Sequence, residues 1–138
     1  MRSLILLPLL LVACHHEPAA PAAPAATASA QVEQGKQLYV EHCAKCHGDA
    51  GQGGDKAPPV VGKDALPLQP RAGAKRDVPF HTAADVFAWA AKTMPGDAPG
   101  TLTTDQYLAI FAFDLTANGV KLAAPLDGPA AQAIVLHP

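Results

Sequence analysis

Residues 43–48 read Cys43-Ala44-Lys45-Cys46-His47-Gly48. Two thiols at this spacing lie on adjacent turns of backbone, so each can add to one vinyl group of a single porphyrin. The residue that follows then stands beneath the iron with its imidazole directed at it. This is the C-x-x-C-H pattern by which a c-type haem is attached. Gly48 lets the backbone turn away close to the macrocycle, because it has no side chain to collide with. The expected cofactor is one covalent haem c, held by Cys43 and Cys46, with His47 as the proximal iron ligand.

Other uses of a closely spaced cysteine pair fit less well. A structural zinc site needs two further ligands at matching spacing, and the sequence has no second C-x-x-C and no H-x-x-x-H. A thioredoxin-like dithiol sits in a βαβ context, whereas this pair follows a helical pattern. A Cys43–Cys46 disulfide would close a loop too small to stabilise much.

The sixth iron position falls to Met94, the only methionine besides Met1. It opens the turn Met94-Pro95-Gly96, which holds its side chain on a rigid loop. His81 reads as a surface residue at a helix start. His42 abuts Cys43 and cannot reach round to the far face of the haem.

The rest of the chain reads as all-α, with three main helices and long Gly/Pro-rich loops wrapped around one haem. The first helix spans about Val32 to His42, with Val32, Gly35, Leu38 and Tyr39 near one face. The second spans about Ala83 to Thr93; Thr82 and Asp85 suit its start, and Met94-Pro95 ends it, since the residue before a proline is pushed out of the helical region. The third spans about Thr104 to Asn118. Thr103 and Gln106 fit a capping box, Leu102 and Tyr107 the hydrophobic staple around it, and Gly119 the left-handed position after the helix. The stretch from Gly48 to Phe80 is long for a loop, and a prosthetic group at its centre accounts for it. Trp89 belongs either to the haem surroundings or to the plain core.

Composition agrees. The chain has 138 residues, which is one domain of ordinary size. Aromatic residues make up only 5%, few for a core unless a large apolar cofactor completes it. The formal net charge of -2 offers nothing for nucleic acid to bind.

The N-terminus has a short basic start at Arg2 and an apolar run from Leu4 to Val12, too short to span a bilayer. It ends in Leu11-Val12-Ala13-Cys14, which resembles the lipobox of bacterial lipoproteins. That resemblance implies a signal peptide over residues 1–13, cleavage before Cys14, and lipidation of the Cys14 thiol and amine, enough acyl chains for stable anchoring. Residues 14–30 then form the lipidated cysteine and an Ala/Pro-rich tether, able to hold a domain about 50 Å away at about 3.1 Å per residue. The folded domain occupies residues 31–120. Residues 121–138, with Pro125, Gly128 and Pro129, are expected to form an extended tail lying over the domain without a helix. His15 and His16 are a weak metal site in a flexible stretch, and Arg71, Lys75 and Arg76 read as solvated loop charges.

From about Gln34 to Gly119 the chain resembles the class I cytochromes c. The resemblance is carried by Gly35 and Tyr39, CAKCHG, Ala57 to Gly62, Met94-Pro95, and Ile110 with Phe113. It implies a cytochrome c-like fold in which the first and last helices cross, Gly35 and Tyr39 meeting Ile110 and Phe113. It also implies a proline carbonyl that accepts from the proximal histidine, for which Pro58 matches best and Pro59 is adjacent; that bond makes the imidazole a better electron donor. The run Leu102 to Leu108, Asn118-Gly119 and the tail through Pro138 look like cytochromes that accompany bacterial quinoprotein dehydrogenases.

The expected function is single-electron transfer between redox partners, such as a quinoprotein dehydrogenase and a terminal oxidase or another cytochrome. A filled His/Met iron has no vacancy for substrate, and the thioether raises the potential, so the protein is expected to be an electron carrier, or an electron-accepting subunit of a dehydrogenase, and not an enzyme. A haem enzyme or gas sensor with a labile Met94, and a redox-inactive assembly subunit, are the alternatives. The expected location is the periplasmic side of a bacterial membrane. His15 after Cys14 is not the Asp associated with inner-membrane retention, which favours the outer membrane.

Overall fold

The computed structural model describes residues 26–137. The signal peptide, Cys14, the two adjacent histidines and most of the tether lie outside the described residues. Among the described residues five helices follow in order: α1 Ala28–His42, α2 Ala44–His47, α3 Ala83–Thr93, α4 Thr104–Ala117 and α5 Gly128–Ala133. One antiparallel bridge, Thr82 to Val135, accompanies them. The architecture is all-α, and the three expected helices are present.

α1 starts four residues before the expected Val32. Thr27 caps it by accepting from the Ala30 N–H at 3.1 Å, and the alanines after the cap are strong helix formers. α1 therefore begins at the Thr27 cap, inside the stretch expected to be tether. At the other end Cys43 caps α1 in a stretched right-handed conformation, with φ -119 and ψ -37. The Cys-x-x-Cys-His segment then makes a single turn of its own as α2.

α4 is the centre of the molecule. Every residue from Tyr107 to Leu115 is buried except Phe113, which is half-buried. Both ends carry the signals read from sequence. The Thr103–Gln106 capping box is formed. At the C-terminus, Val120 N–H donates to Leu115 O and Gly119 N–H to Thr116 O, a Schellman motif with Gly119 at φ 89. α3 has its own capping box from Thr82 and Asp85. The Asp85 carboxylate accepts from the Thr82 and His81 backbone N–H groups, which holds its pKa below the usual carboxylate range.

α1 crosses α4 at Gly35, where a Cβ would stand 1.8 Å from the Ala109 carbonyl oxygen. Tyr39, Ala44 and Ile110 form a small buried cluster there with Phe113. The rings of Tyr39 and Phe113 lie 5.3 Å apart. This is the meeting of Gly35 and Tyr39 with Ile110 and Phe113 that the resemblance implied. The larger cluster joins α3, α4 and α5 through Val86, Phe111, Leu115 and Ala131.

The tail corrects an expectation. It contains α5, whose N-cap Asp127 accepts from the Ala130 N–H at 2.8 Å. Pro129 sits in the first turn, where its missing N–H costs nothing; the residues that argued against a helix start one. The rest of the tail does lie over the domain. Gln31 exchanges two hydrogen bonds with the backbone of Leu126, Ala83 N–H donates to Ile134 O, and the His137 ring meets Leu66 O at 2.8 Å.

A second correction concerns Arg76, which is only 7% exposed. Its guanidinium donates to the carbonyls of Pro67, Leu68 and Val78 and lies 3.8 Å from the centre of the Phe80 ring. A planar donor fork satisfies several carbonyls at once, so Arg76 organises the long loop from within. Asn118, just past α4, fixes the same loop nearer its start by bonding Val60 O and Gly62 N–H.

Candidate haem site

The long loop, α1–α2, α3 and α4 enclose a cavity of about 440 Å³. Cys43, Cys46, His47, Pro58 and Met94 all line it. Residues far apart in sequence are therefore brought to one place. His81 is not among its walls: it is exposed at the start of α3. Trp89 lines the cavity and also packs edge-on against Phe80 at 6.2 Å, so it serves core and site together.

Cys43 and Cys46 form no disulfide. Burial, with Asp114 and Cys46 nearby, pushes the Cys43 thiol up to about 12. Among the described residues no group of three His, Cys, Asp or Glu side chains is arranged to hold a metal ion. The α2 turn is anchored by Tyr39, whose hydroxyl donates to Gly48 O at 2.8 Å. Burial chiefly, then Asp114, raises the pKa of that phenol.

His47 Nδ1 lies 2.7 Å from the Pro58 carbonyl oxygen. A carbonyl only accepts, so Nδ1 carries the proton and Nε2 keeps its lone pair for a metal. Gly53 makes this approach possible: at φ +77, a Cβ there would stand 2.5 Å from Pro59 N. Met94 caps the C-terminus of α3. Its backbone carbonyl accepts from the Tyr107 hydroxyl of α4, which ties the Met94-Pro95 turn to the central helix. At the rim, Lys45 of α2 reaches Asp97 at 3.3 Å, an exposed pair of little energetic weight.

Sequence reading did not single out Asp114, which lines the cavity. Asp114 is 7% exposed, its Oδ1 has no hydrogen-bond partner, and burial raises its pKa to about 8. An unpartnered buried carboxyl costs about 1–3 kcal/mol. The available signal was a lone acid inside the apolar run from Tyr107 to Leu115.

These groups suit an iron porphyrin. An apolar cavity presents two thiols on one turn, an imidazole with a fixed tautomer, and a thioether, which is the donor set of a c-type haem centre. The fold and site thus define a c-type haem protein. Residues 30–113 match the family described as cytochrome C oxidase, cbb3-type, subunit III, and the chain belongs to this cytochrome c family. It is an electron-transfer protein with covalently bound haem c.

Two relatives extend the comparison. Over 40 residues the chain is 50% identical to the thiosulfate dehydrogenase of Stutzerimonas stutzeri (strain A1501), a match covering 25% of this chain and 13% of that protein. It also superposes on the crystal structure of the sulfane dehydrogenase SoxCD from Paracoccus pantotrophus with a TM-score of 0.59 and 30% identity, covering 76% of this chain and 52% of that one. The chain therefore spans about half the length of the SoxCD chain and a small part of the thiosulfate dehydrogenase.

Proposed function

We propose that the protein is a lipid-tethered electron carrier on the periplasmic side of a bacterial membrane, with the outer membrane favoured by His15. Cys43 and Cys46 hold the haem through thioethers, His47 is its proximal ligand and Met94 its distal ligand. The observation that carries this reading is the 2.7 Å contact between His47 Nδ1 and Pro58 O, which leaves Nε2 as the ligating atom in a cavity that Met94 also lines. Cys14 is the lipidated residue, supported by the lipobox-like residues before it.

When bound, the haem supplies a reversible one-electron couple. The chain's own residues do the rest. Pro58 O keeps the imidazole oriented and electron-rich. Tyr107 holds the backbone of the Met94 turn, so the thioether stays in place through changes of redox state. Trp89, Phe111 and Ile110 exclude water from the cavity, and a thioether in a dry site favours the reduced form.

The electron donor is taken to be a dehydrogenase. Similarity to two dehydrogenases of sulfur compounds supports a donor of that kind, and the C-terminal resemblance supports a quinoprotein. An oxidase or another cytochrome would accept the electron.

The test is the visible spectrum of protein isolated from membranes. A c-type α-band on reduction and a sulfur-to-iron charge-transfer band in the oxidised form are expected. An α-band without the charge-transfer band would remove Met94, and no haem spectrum would overturn the reading. Cys14→Ser is expected to move the protein from the membrane to the soluble fraction.

A further inference from the structure

Asp114 has no part in the electron-transfer reading, yet it lines the same cavity as Cys43, Cys46, His47 and Met94. It interrupts the apolar run of α4 from the inside, buried, with Oδ1 unpartnered. An apolar side chain at this position would avoid that penalty, so the carboxyl calls for a chemical explanation.

Most polar groups facing the cavity are engaged elsewhere: Tyr107 donates to Met94 O, Lys45 pairs with Asp97 and Arg71 donates to Asp64 O, while Lys56 and Lys75 line the cavity as further positive charges. From α1, Tyr39 gives its hydroxyl proton to Gly48 O, and His42 lies 3.7 Å from the Glu41 carboxylate. Cys43, at the α1–α2 junction, and Cys46 become thioethers. His47 of α2 gives its Nδ1 proton to Pro58 O. From the long loop, Arg76 is held by three backbone carbonyls. Among these groups none is aimed at Asp114 as a donor, so its charge is set by burial and by the charge of whatever fills the cavity. Asp114 stands in the cavity wall beside the position of the occupant, so a change of charge in the cavity acts directly on its carboxyl, whose pKa burial already raises.

Resting on the haem reading above, we propose that Asp114 is a proton-binding site coupled to electron transfer: the chain binds one proton there when it gains an electron and releases it when it loses one. On reduction, a protein donor delivers one electron, the positive charge in the cavity falls by one, and the Asp114 carboxylate takes one proton from water to become a neutral carboxyl. On oxidation by the acceptor protein, electron and proton both leave. The only bond made or broken is the O–H bond of the carboxyl. The protein is then a carrier of hydrogen equivalents over a window of pH and a pure electron carrier outside it.

The experiment is a spectroelectrochemical titration of the intact holoprotein as a function of pH, for the wild type, Asp114→Asn and Asp114→Leu. In the wild type the reduction equilibrium is expected to weaken by up to tenfold per pH unit within the window, about 59 mV for one electron. Both variants are expected to lose that slope while keeping the wild-type visible spectrum. The reduced-minus-oxidised infrared difference of the wild type should gain a protonated-carboxyl band that Asp114→Asn lacks. A wild type without the slope, or an Asp114→Asn protein that keeps slope and band, would overturn the proposal. A preparation without a haem spectrum would instead overturn the reading of the site, before any titration begins.

Discussion

Gly35 of α1 lies directly on the backbone of Ala109 in α4, so close that a Cβ on residue 35 would stand 1.8 Å from the Ala109 carbonyl oxygen. The obstacle is main chain inside a buried helix, which cannot swing aside as a side chain can. The contact sets how near the two helices come and therefore where Tyr39, Cys43 and α2 sit against the cavity.

Gly35→Ala tests this. In an isolated helix the change would stabilise by about 1 kcal/mol, but overpacking costs about 1–3 kcal/mol and more against rigid backbone. The clash wins, and the holoprotein is expected to lose about 2 kcal/mol or more of stability. The urea midpoint checks it; an unchanged or raised midpoint would show that the helices can part freely.

Tyr107→Phe removes the hydroxyl that bonds Met94 O and leaves the ring in place. A lost hydrogen bond of about 1 kcal/mol corresponds to roughly fivefold in an equilibrium constant. On the proposed ligation by Met94, its displacement by added imidazole is expected to become easier by about that factor, read from the sulfur-to-iron band. Equal imidazole affinity in the two proteins would mean that Tyr107 does not hold the turn.

Asp114 makes stability depend on pH in a defined sense. Burial raises its pKa to about 8 in the folded chain, against about 3.9 when unfolded. Between these values the folded state binds the extra proton. Stability is therefore full below about pH 4, falls by up to about 1.4 kcal/mol per pH unit as pH rises, and levels off above about pH 8. Asp114→Asn should flatten the urea midpoint between about pH 5 and about pH 8 relative to the wild type. Parallel profiles would show that the carboxyl does not titrate with folding.

The double substitution Cys43→Ala, Cys46→Ala should leave the chain largely unfolded. The cavity of about 440 Å³ lies among α1, α2, α3, α4 and the long loop, and without a covalent occupant the apolar surface buried is too little to offset chain entropy. Far-UV circular dichroism checks this: a cooperative, native-like melt of the variant would contradict it.

Much of this molecule was legible in its sequence because the signals are local. Capping boxes at Thr82 and Thr103, the Gly119 stop and the Cys43–His47 spacing each act within a few residues, where geometry follows from residue type. The Gly35 and Tyr39 crossing and the Pro58 acceptor were legible only through the resemblance, since neither spacing nor periodicity links residues so far apart. The tail was misread because Gly128 and Pro129 break a helix in its interior and start one at its first turn, and only the Asp127 cap decides between the two.

What remained to the tertiary structure was the company each side chain keeps. Arg76 reads as a surface charge until three carbonyls of its own loop converge on it, and Asp114 reads as one more helix position until α4 proves to be buried all round. Whether a charged group meets water, a partner or a cavity is a property of elements distant in sequence packing together. Residue type and spacing determine the turn that carries the thiols and the imidazole; packing decides that Met94 joins them and that Asp114 faces them unpaired.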